Sequence, residues 1–248
     1  MNVQPTDEQA KILGSCVAPL VWGKGLGQGV YSNGTVTFFN PEAPIAITNE
    51  HVYSGLREKA TREGGKVGIL NLLIDLEERK IAVDAELDLA TFRVTTEEVE
   101  RIGKIAAVQK AGEYALPEVN MGIFTSGFPK ELRIDEANRV GCLSFQRSGL
   151  KVKRVSPRLV VVDTSIDPDA RIVEGAAKYR PLVSSGGISG SAILALSAYR
   201  GSDWPFLLGI VFEEPESAKP GEPEPLEPNI LRARPISCVN RDGTIHHP

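Results

Sequence analysis

The stretch 184–196 reads SSGGISGSAILAL, so a turn of serine and glycine residues leads directly into an apolar run. Short apolar runs bounded by such turn residues recur along the chain. They are rich in Val, Ile, Leu and Phe, which is typical of strands in an all-β sandwich or barrel. The sequence therefore predicts an all-β fold. The runs are 16–22, 35–39, 45–48, 66–73, 80–85, 91–94, 121–126, 159–163, 192–196 and 206–212.

Three segments between these runs predict local structure of another kind. Residues 32–34, Ser-Asn-Gly, predict a hairpin turn. Residues 95–102 open with threonines and glutamates, which predicts a short capped helix. Residues 215–229 contain five prolines and four glutamates, which predicts an acidic surface loop. Residues 104–119 are interpreted as a segment that crosses from one sub-domain to the next. We therefore predict two sub-domains, 1–112 and 113–248.

Composition excludes several classes of function. The 248 residues are 42% hydrophobic and 24% charged, with a formal net charge of −4, which is ordinary for a globular protein without a basic nucleic-acid surface. No apolar run reaches the roughly 18 residues of a membrane span, and the N-terminal 21 residues do not resemble a secretory signal. Cys16, Cys142 and Cys238 are odd in number and widely spaced, which favours buried core roles in a reduced compartment. We therefore predict a cytoplasmic protein with no metal site, nucleic acid or membrane partner.

Ser189 is the first candidate for chemistry. Gly187 and Gly190 lie close to it on either side, so a peptide carbonyl could approach the hydroxyl closely. Two backbone amides converging there would form an oxyanion hole, in which each donor stabilises a tetrahedral transition state by about 3 kcal/mol. An ordinary glycine-serine turn before a strand is the alternative interpretation.

His51 and a nearby acid are the second and third candidates. The other two histidines lie at the C-terminus, whereas His51 follows an apolar run, where a lone histidine is more often structural. Asp88 is flanked by leucines, so its carboxylate would be half-buried and would need a partner such as an imidazole. Asp84 and Glu86 are rivals, because strand alternation would put all three acids on one face. Spacing alone does not choose between them.

Together these segments resemble the chymotrypsin/trypsin superfamily, and most closely its bacterial trypsin-like peptidases. Residues 47–52, ITNEHV, resemble the family's histidine motif, and residues 88–92, DLATF, resemble its aspartate motif. Residues 187–192, GISGSA, resemble its serine motif. Residues 209–211, GIV, resemble the family's strand that lines the substrate cleft, and residues 127–129, GFP, resemble a tripeptide common in the second barrel of the bacterial members. The order His, Asp, Ser along the chain also agrees with the chymotrypsin arrangement.

The resemblance implies a chymotrypsin-like double antiparallel β-barrel with Greek-key connections and an active site in the cleft between the barrels. It implies a serine endopeptidase in which Ser189 is the nucleophile, His51 the general base and Asp88 the residue that orients the imidazole. The backbone N–H groups of Gly187 and Ser189 would form the oxyanion hole. No metal or organic cofactor is implied, and the expected partner is a protein or peptide substrate.

Three departures from the family pattern change what is expected. Ile188 replaces the aspartate that pairs with a newly cut N-terminus in trypsin-like zymogens, so activation by N-terminal insertion is not expected. Glu50 stands directly before His51, where its charge would perturb the imidazole. Residues 212–214, Phe-Glu-Glu, replace the Ser-Trp-Gly of digestive members, which alters the strand that pairs with substrate.

The expected substrate-binding residues are Val183, Phe212, Glu213 and Glu214. Val183 lies six residues before Ser189, at the position that forms the floor of the primary pocket in trypsin-like members. Because valine carries no charge, a small or apolar substrate residue is the first expectation. A glutamate reaching in from 213 or 214 would instead favour a basic residue.

Other functional classes fit less well or remain as alternatives. An α/β-hydrolase needs Gly-X-Ser-X-Gly followed by an internal histidine, but Ser191 occupies the fifth position. Residues 23–29 fail the spacing of both nucleotide-binding glycine motifs. A catalytically silent protease-like module that binds peptides or regulates a partner remains the alternative, favoured by the altered residues 212–214 and the acidic loop. A regulatory protein partner is a hypothesis under either interpretation.

Overall fold

The computed structural model describes residues 6–24, 31–109, 116–129, 133–136, 139–142, 145–164, 188–199, 202–213 and 230–248. The helices in these ranges are α1 (Asp7–Gly14), α2 (Glu50–Glu63), α3 (Leu76–Arg79) and α4 (Thr96–Arg101). The strands are β1 (Val17–Gly23), β2 (Tyr31–Phe39), β3 (Ile45–Thr48), β4 (Lys66–Ile69), β5 (Leu72–Ile74), β6 (Lys80–Asp84), β7 (Leu89–Arg93), β8 (Val108–Gln109), β9 (Gly122–Gly127), β10 (Arg133–Glu136), β11 (Arg139–Cys142), β12 (Phe145–Ser156), β13 (Leu159–Asp163), β14 (Ala192–Tyr199), β15 (Ser202–Glu213) and β16 (Ile230–Pro235). The all-β prediction is confirmed.

The first seven strands form one sheet, here called the N-terminal half-barrel. Its order is β5-β4-β1-β2-β3-β7-β6, and every pairing is antiparallel. Helix α2 connects β3 to β4. Along β2, Val36 and Phe38 face the buried interior of the half-barrel, so Thr35 and Thr37 face the other way.

Six later strands form a closed sheet, here called the C-terminal barrel. Its order is β14-β9-β12-β13-β16-β15, and β14 pairs with β15 to close the ring. Strand β8 adds to β15 in parallel, and β10 and β11 pair with each other. The predicted sub-domain boundary at residue 112 lies outside the described residues and stays a prediction.

A buried apolar cluster joins the two sheets. Phe39, Ile47 and Leu89 from the half-barrel share it with Phe124 and Leu207 from the C-terminal barrel. All five side chains are at most 3% exposed, so the interface is a continuous core. Burying one large apolar side chain contributes about 1.5–3 kcal/mol. The two sheets are therefore packed firmly against each other.

The predicted hairpin turn at residues 32–34 is wrong, because these residues lie inside β2. Ser32, Asn33 and Gly34 pair in register with β1. A Cβ on Gly34 would lie 2.4 Å from a methyl carbon of Val52 in α2. The glycine therefore makes room for the helix to pack against the strand, and does not reverse the chain.

Two further local predictions have different outcomes. The predicted helix at 95–102 is confirmed as α4, where the Thr95 and Glu98 side chains form a capping box. The single apolar run at 66–73 is instead the hairpin of β4 and β5. Leu70 has a φ of +54° and reverses the chain there, so that Ile69 pairs with Leu72.

The segment after β16 returns to the half-barrel. The Thr91 hydroxyl donates to the carbonyl of Gly243 at 2.6 Å, and both atoms are buried. The imidazole Nε2 of His247 lies 2.7 Å from a carboxylate oxygen of Asp84. These contacts fasten the end of the C-terminal barrel to β6 and β7, beside the turn that carries Asp88.

Candidate active site

His51 lies in the first turn of helix α2, two residues after the N-cap residue Asn49. The backbone N–H of His51 donates to Oδ1 of Asp88 at 3.0 Å. The first N–H groups of a helix have no partner within the helix, and its N-terminal end favours a negative charge. The carboxylate of Asp88 therefore binds the end of α2 and reaches His51 from the same place.

The side chains of His51 and Asp88 also meet directly. Nδ1 of His51 lies 3.0 Å from Oδ1 and 2.9 Å from Oδ2 of Asp88. The imidazole is 51% exposed and the carboxylate 21% exposed. When Nδ1 carries the neutral ring's proton it donates to the carboxylate, which leaves the lone pair of Nε2 free to accept a proton.

Asp88 adopts an unusual backbone conformation. Its φ is +52°, in the left-handed region that residues with a Cβ seldom occupy. The side-chain amide of Asn49 donates to the Asp88 carbonyl at 2.9 Å. The residue is thus held from both its main chain and its side chain by the start of α2.

The two acidic rivals contact other partners. Asp84 pairs with His247, and Glu86 pairs with Arg158 at 2.9 Å. The expectation that the three acids share one strand face is wrong, because residues 85–88 form the turn between β6 and β7. The left-handed backbone of Asp88, at the end of this turn, directs its carboxylate to the imidazole of His51. In the contacts that the structure describes, neither Asp84 nor Glu86 reaches His51.

The turn that carries Ser189 is tied to both sheets. The backbone N–H of Thr35 donates to the Ser189 carbonyl at 3.0 Å, and the Thr37 hydroxyl donates to the Gly190 carbonyl at 2.9 Å. From the other barrel, the carbonyl of Val211 accepts the Gly190 N–H at 3.0 Å. Ser189 is partly exposed at the seam between the sheets.

Gly190 packs the serine turn against the strand that leads to His51. Its φ is +90°, and a Cβ there would lie 2.0 Å from the Thr35 carbonyl oxygen and 2.6 Å from Oγ1 of Thr48. Thr48 ends β3, three residues before His51. The structure thus brings the three predicted residues to one seam. Among the described residues, no hydrogen bond joins the Ser189 hydroxyl to His51.

The remaining predicted site residues are only partly described. Gly187, Val183 and Glu214 lie outside the described residues, as does the acidic loop at 215–229. Glu213 ends β15. The ring of Phe212 is half-buried, and the guanidinium of Arg234 lies over it at 4.1 Å.

Several residues that hold the site were not predicted from the sequence. Thr35 and Thr37 alternate with Val36 and Phe38, so a polar face of β2 opposite its apolar face was a signal that could have been found. Asn49 directly before a helix is also a recognisable cap residue. Arg234 has no local signal, since its contacts with the turn of Asp88 lie about 150 residues earlier in the chain.

The pKa of His51 is raised above its ordinary value of 6.5, first by the hydrogen bond to Asp88 and also by the charges of Asp88 and Glu50, against the opposing effect of burial. The sequence predicted that the charge of Glu50 perturbs His51, and here that charge acts to raise the pKa of the imidazole. Negative charges nearby favour the imidazolium. A base at this position becomes available only above the raised pKa.

We expect Glu50→Gln to lower the pKa of His51, because it removes a negative charge that stabilises the imidazolium. NMR titration of the imidazole protons measures this, with His51→Gln identifying the resonance among the three histidines. Glu58→Gln is the matched control, since Glu58 lies two turns further along α2 and pairs with Arg62. Equal shifts in both variants, or none in Glu50→Gln, would contradict the assignment.

Two of the cysteines are poor candidates for a nucleophile. Cys16 and Cys238 are free thiols, and both residues are buried. Burial raises the pKa of Cys16 to about 12 and also raises the pKa of Cys238. A thiol of such high pKa carries almost no thiolate at neutral pH. Their predicted role as buried core residues is confirmed.

Comparisons with known proteins identify the fold. No protein-family model and no curated protein sequence matches the chain. A serine endoprotease from Yersinia pestis superposes with a TM-score of 0.52 at 15% identity, over 95% of this chain and 64% of its own. A protease from M. tuberculosis, solved in its active form, gives 0.52 at 11% identity, over 98% of this chain and 87% of its own. The chain thus spans about two thirds of the Yersinia pestis protein, and its fold is that of the chymotrypsin-like serine peptidases.

Proposed function

We propose that the protein is a serine endopeptidase that cleaves peptide bonds in protein substrates through an acyl-enzyme intermediate. One observation carries the proposal: Nδ1 of His51 lies 2.9 Å from the Asp88 carboxylate, at the seam that also carries Ser189. A base, the acid that orients it and a hydroxyl at one seam are the parts of a nucleophilic hydrolase. The protease fold of the structural neighbours supports the same reaction.

The first half of the reaction forms the acyl-enzyme. The Ser189 oxygen attacks the carbonyl carbon of the scissile peptide while its proton passes to Nε2 of His51. The carboxylate of Asp88 accepts the hydrogen bond of the Nδ1–H group and stabilises the imidazolium. The N–H groups of Gly187 and Ser189 would receive the negative oxygen of the tetrahedral intermediate. The carbon–nitrogen bond then breaks, and His51 gives its proton to the leaving amine.

The second half regenerates the enzyme. A water molecule gives a proton to Nε2 of His51 and attacks the ester carbonyl carbon. The ester bond breaks, the proton returns to the Ser189 oxygen, and the carboxylic acid product leaves. The half-exposed imidazole of His51 is open to this water, whereas the less exposed Asp88 is not required to exchange protons.

Labelling with a fluorophosphonate tests the proposal directly. We expect the reagent to form a covalent adduct at Ser189 in the native protein, and no adduct in His51→Ala, because the hydroxyl then lacks its base. Ser237→Ala is the matched control, since Ser237 is a half-buried serine in the short helical turn just after β16. It should label like the native protein. Labelling that persists in His51→Ala would contradict the mechanism.

A catalytically silent peptide-binding or regulatory module is the second candidate. The observation that favours it is the missing hydrogen bond between the Ser189 hydroxyl and His51 among the described residues. Apo serine hydrolases often tighten this contact only when substrate binds, so the geometry is compatible with both candidates. An intact fold that never labels at Ser189, with or without added peptide substrates, would favour the silent module.

The residues expected to bind substrate lead to two proposals for the substrate preference. Val183 at the pocket floor favours a small or apolar substrate residue, while Glu213 or Glu214 would favour a basic one. Cleavage of a peptide library distinguishes these preferences.

Because Ile188 replaces the zymogen aspartate, we propose that the activity is controlled by a partner protein or by a separate cleavage. The described part of the chain has no helix long and apolar enough to cross a membrane. A cytoplasmic location is proposed from the cysteine usage.

A further inference from the structure

The turn that carries Asp88 needs support from outside its own strands. A left-handed conformation at a non-glycine residue is unfavourable and persists only where the surroundings hold it. The start of α2 supplies part of this support through Asn49 and His51. Within the turn, Asp84 accepts the N–H of Leu87 at 2.8 Å. These contacts hold the turn from the half-barrel side alone.

Arg234 supplies support for the main chain of this turn from the C-terminal barrel, in addition to the ion pair of Glu86 with Arg158. It lies on β16, and its Nε donates to the carbonyl of Leu87 at 2.8 Å. Its Nη2 donates to the carbonyl of Glu86 at 3.3 Å, and its Nη1 donates to the carbonyl of Arg158 at 2.9 Å. The guanidinium therefore holds the two residues directly before Asp88. All three acceptors are backbone carbonyls, so the contact constrains main-chain geometry.

The same guanidinium reaches the strand that holds the serine turn. It lies 4.1 Å from the centre of the Phe212 ring, within the range of a cation–π contact. Phe212 follows Val211, and Val211 exchanges backbone hydrogen bonds with Gly190 and Ser191. Arg234 thus connects the turn before Asp88 to the strand that holds the turn of Ser189.

We propose that Arg234 is a positioning residue, which sets the carboxylate of Asp88 against His51 and fixes both relative to Ser189. This inference rests on the proposed peptidase function for its catalytic consequence. The planar guanidinium has five N–H donors in a rigid arrangement, which suits three carbonyls and a ring face at once. Lysine would keep the charge but could not reproduce this set of contacts.

The test compares Arg234→Met, Arg234→Lys and the control Arg154→Met. Arg154 is an exposed arginine on β12 of the same barrel. We expect Arg234→Met to lower kcat about 100-fold with little change in KM, since a small displacement of a catalytic group has effects of that size. Arg234→Lys should lose less activity, and Arg154→Met should match the native protein.

NMR titration of His51 provides a readout that does not depend on turnover. Asp88 and Glu50 are the charged groups acting on the imidazole, and Glu50 is untouched in every variant. We expect the pKa of His51 to fall in Arg234→Met, because the carboxylate is no longer held against it. An unchanged titration and kcat in folded Arg234→Met would overturn the proposal.

The two readouts separate this inference from the proposed function. If the native protein neither labels nor cleaves, the peptidase proposal fails, and the titration alone still decides whether Arg234 positions Asp88. If the native protein is active and both the titration and kcat are unchanged in the variants, only the role of Arg234 fails. Should Arg234→Met not fold, an unchanged titration and kcat in Arg234→Lys would overturn the proposal in the same way.

Discussion

Asp88→Asn is expected to lower kcat by about 10⁴-fold while KM stays close to that of the native protein. The carboxylate accepts both the backbone N–H and Nδ1 of His51, at 3.0 Å and 2.9 Å. An asparagine would keep its oxygen on the backbone N–H and turn its NH₂ group toward Nδ1. The neutral ring would then carry its proton on Nε2, which could no longer accept one from Ser189. Steady-state kinetics on a peptide selected from the library measure the loss.

Asp84→Asn is the matched control for this experiment. The side chains of Asp84 and Asp88 have nearly equal exposure, 20% and 21%, and both lie at the same turn. Asparagine at position 84 keeps an oxygen for the N–H of Leu87, so we expect kcat to change less than about threefold. Equal losses in the two variants, or a loss below tenfold in Asp88→Asn, would contradict the assignment of the acid.

Gly190→Ala is expected to destabilise the folded protein by about 3 kcal/mol or more. The position has a φ of +90°, and a Cβ would lie 2.0 Å from the carbonyl oxygen of Thr35. That oxygen belongs to the backbone of β2, which is paired on both sides and cannot move aside cheaply. Urea unfolding followed by circular dichroism measures the change in free energy.

Gly55→Ala provides the opposite expectation in the same measurement. Gly55 lies inside α2, and a Cβ there would meet no atom within 4 Å. Alanine restricts the unfolded chain more than glycine and favours the helix, so the variant should gain about 0.5–1 kcal/mol. If both variants shift the free energy of unfolding in the same direction, the packing of Gly190 against β2 does not explain its effect.

The turn at residues 85–88, which carries Asp88, could not be predicted from the sequence. Apolar runs predicted most strands, because a half-buried strand repeats every two residues. The same rule placed Asp84, Glu86 and Asp88 on one face, because it assumed a strand where the chain turns. The geometry that selects Asp88 depends on Asn49 and Arg234, which lie 39 and about 147 residues away from this turn. Such distant contacts leave no local pattern.

Helix α2 shows a second kind of limit. Within it only Tyr53 and Leu56 are buried, so its apolar periodicity is weak and the segment was not predicted as a helix. His51 was therefore expected just beyond a strand, without the helix end that binds Asp88. The turn predicted at residues 32–34 was wrong for a related reason. These residues lie in a strand, where Gly34 makes room for the side chain of Val52. Tertiary packing decided both segments.

The return of the C-terminal segment to the half-barrel also sets an order of events during synthesis. Arg234 binds a turn made 147 residues earlier, and Gly243 binds Thr91 across 152 residues. Contacts of such long sequence separation form late in folding. A ribosome-bound chain that has been synthesised beyond Ser189 but not yet to residue 234 lacks the hydrogen bonds by which Arg234 holds the turn of Asp88. If the proposed peptidase function is correct, the candidate active site would then be complete only after residue 234 has been synthesised.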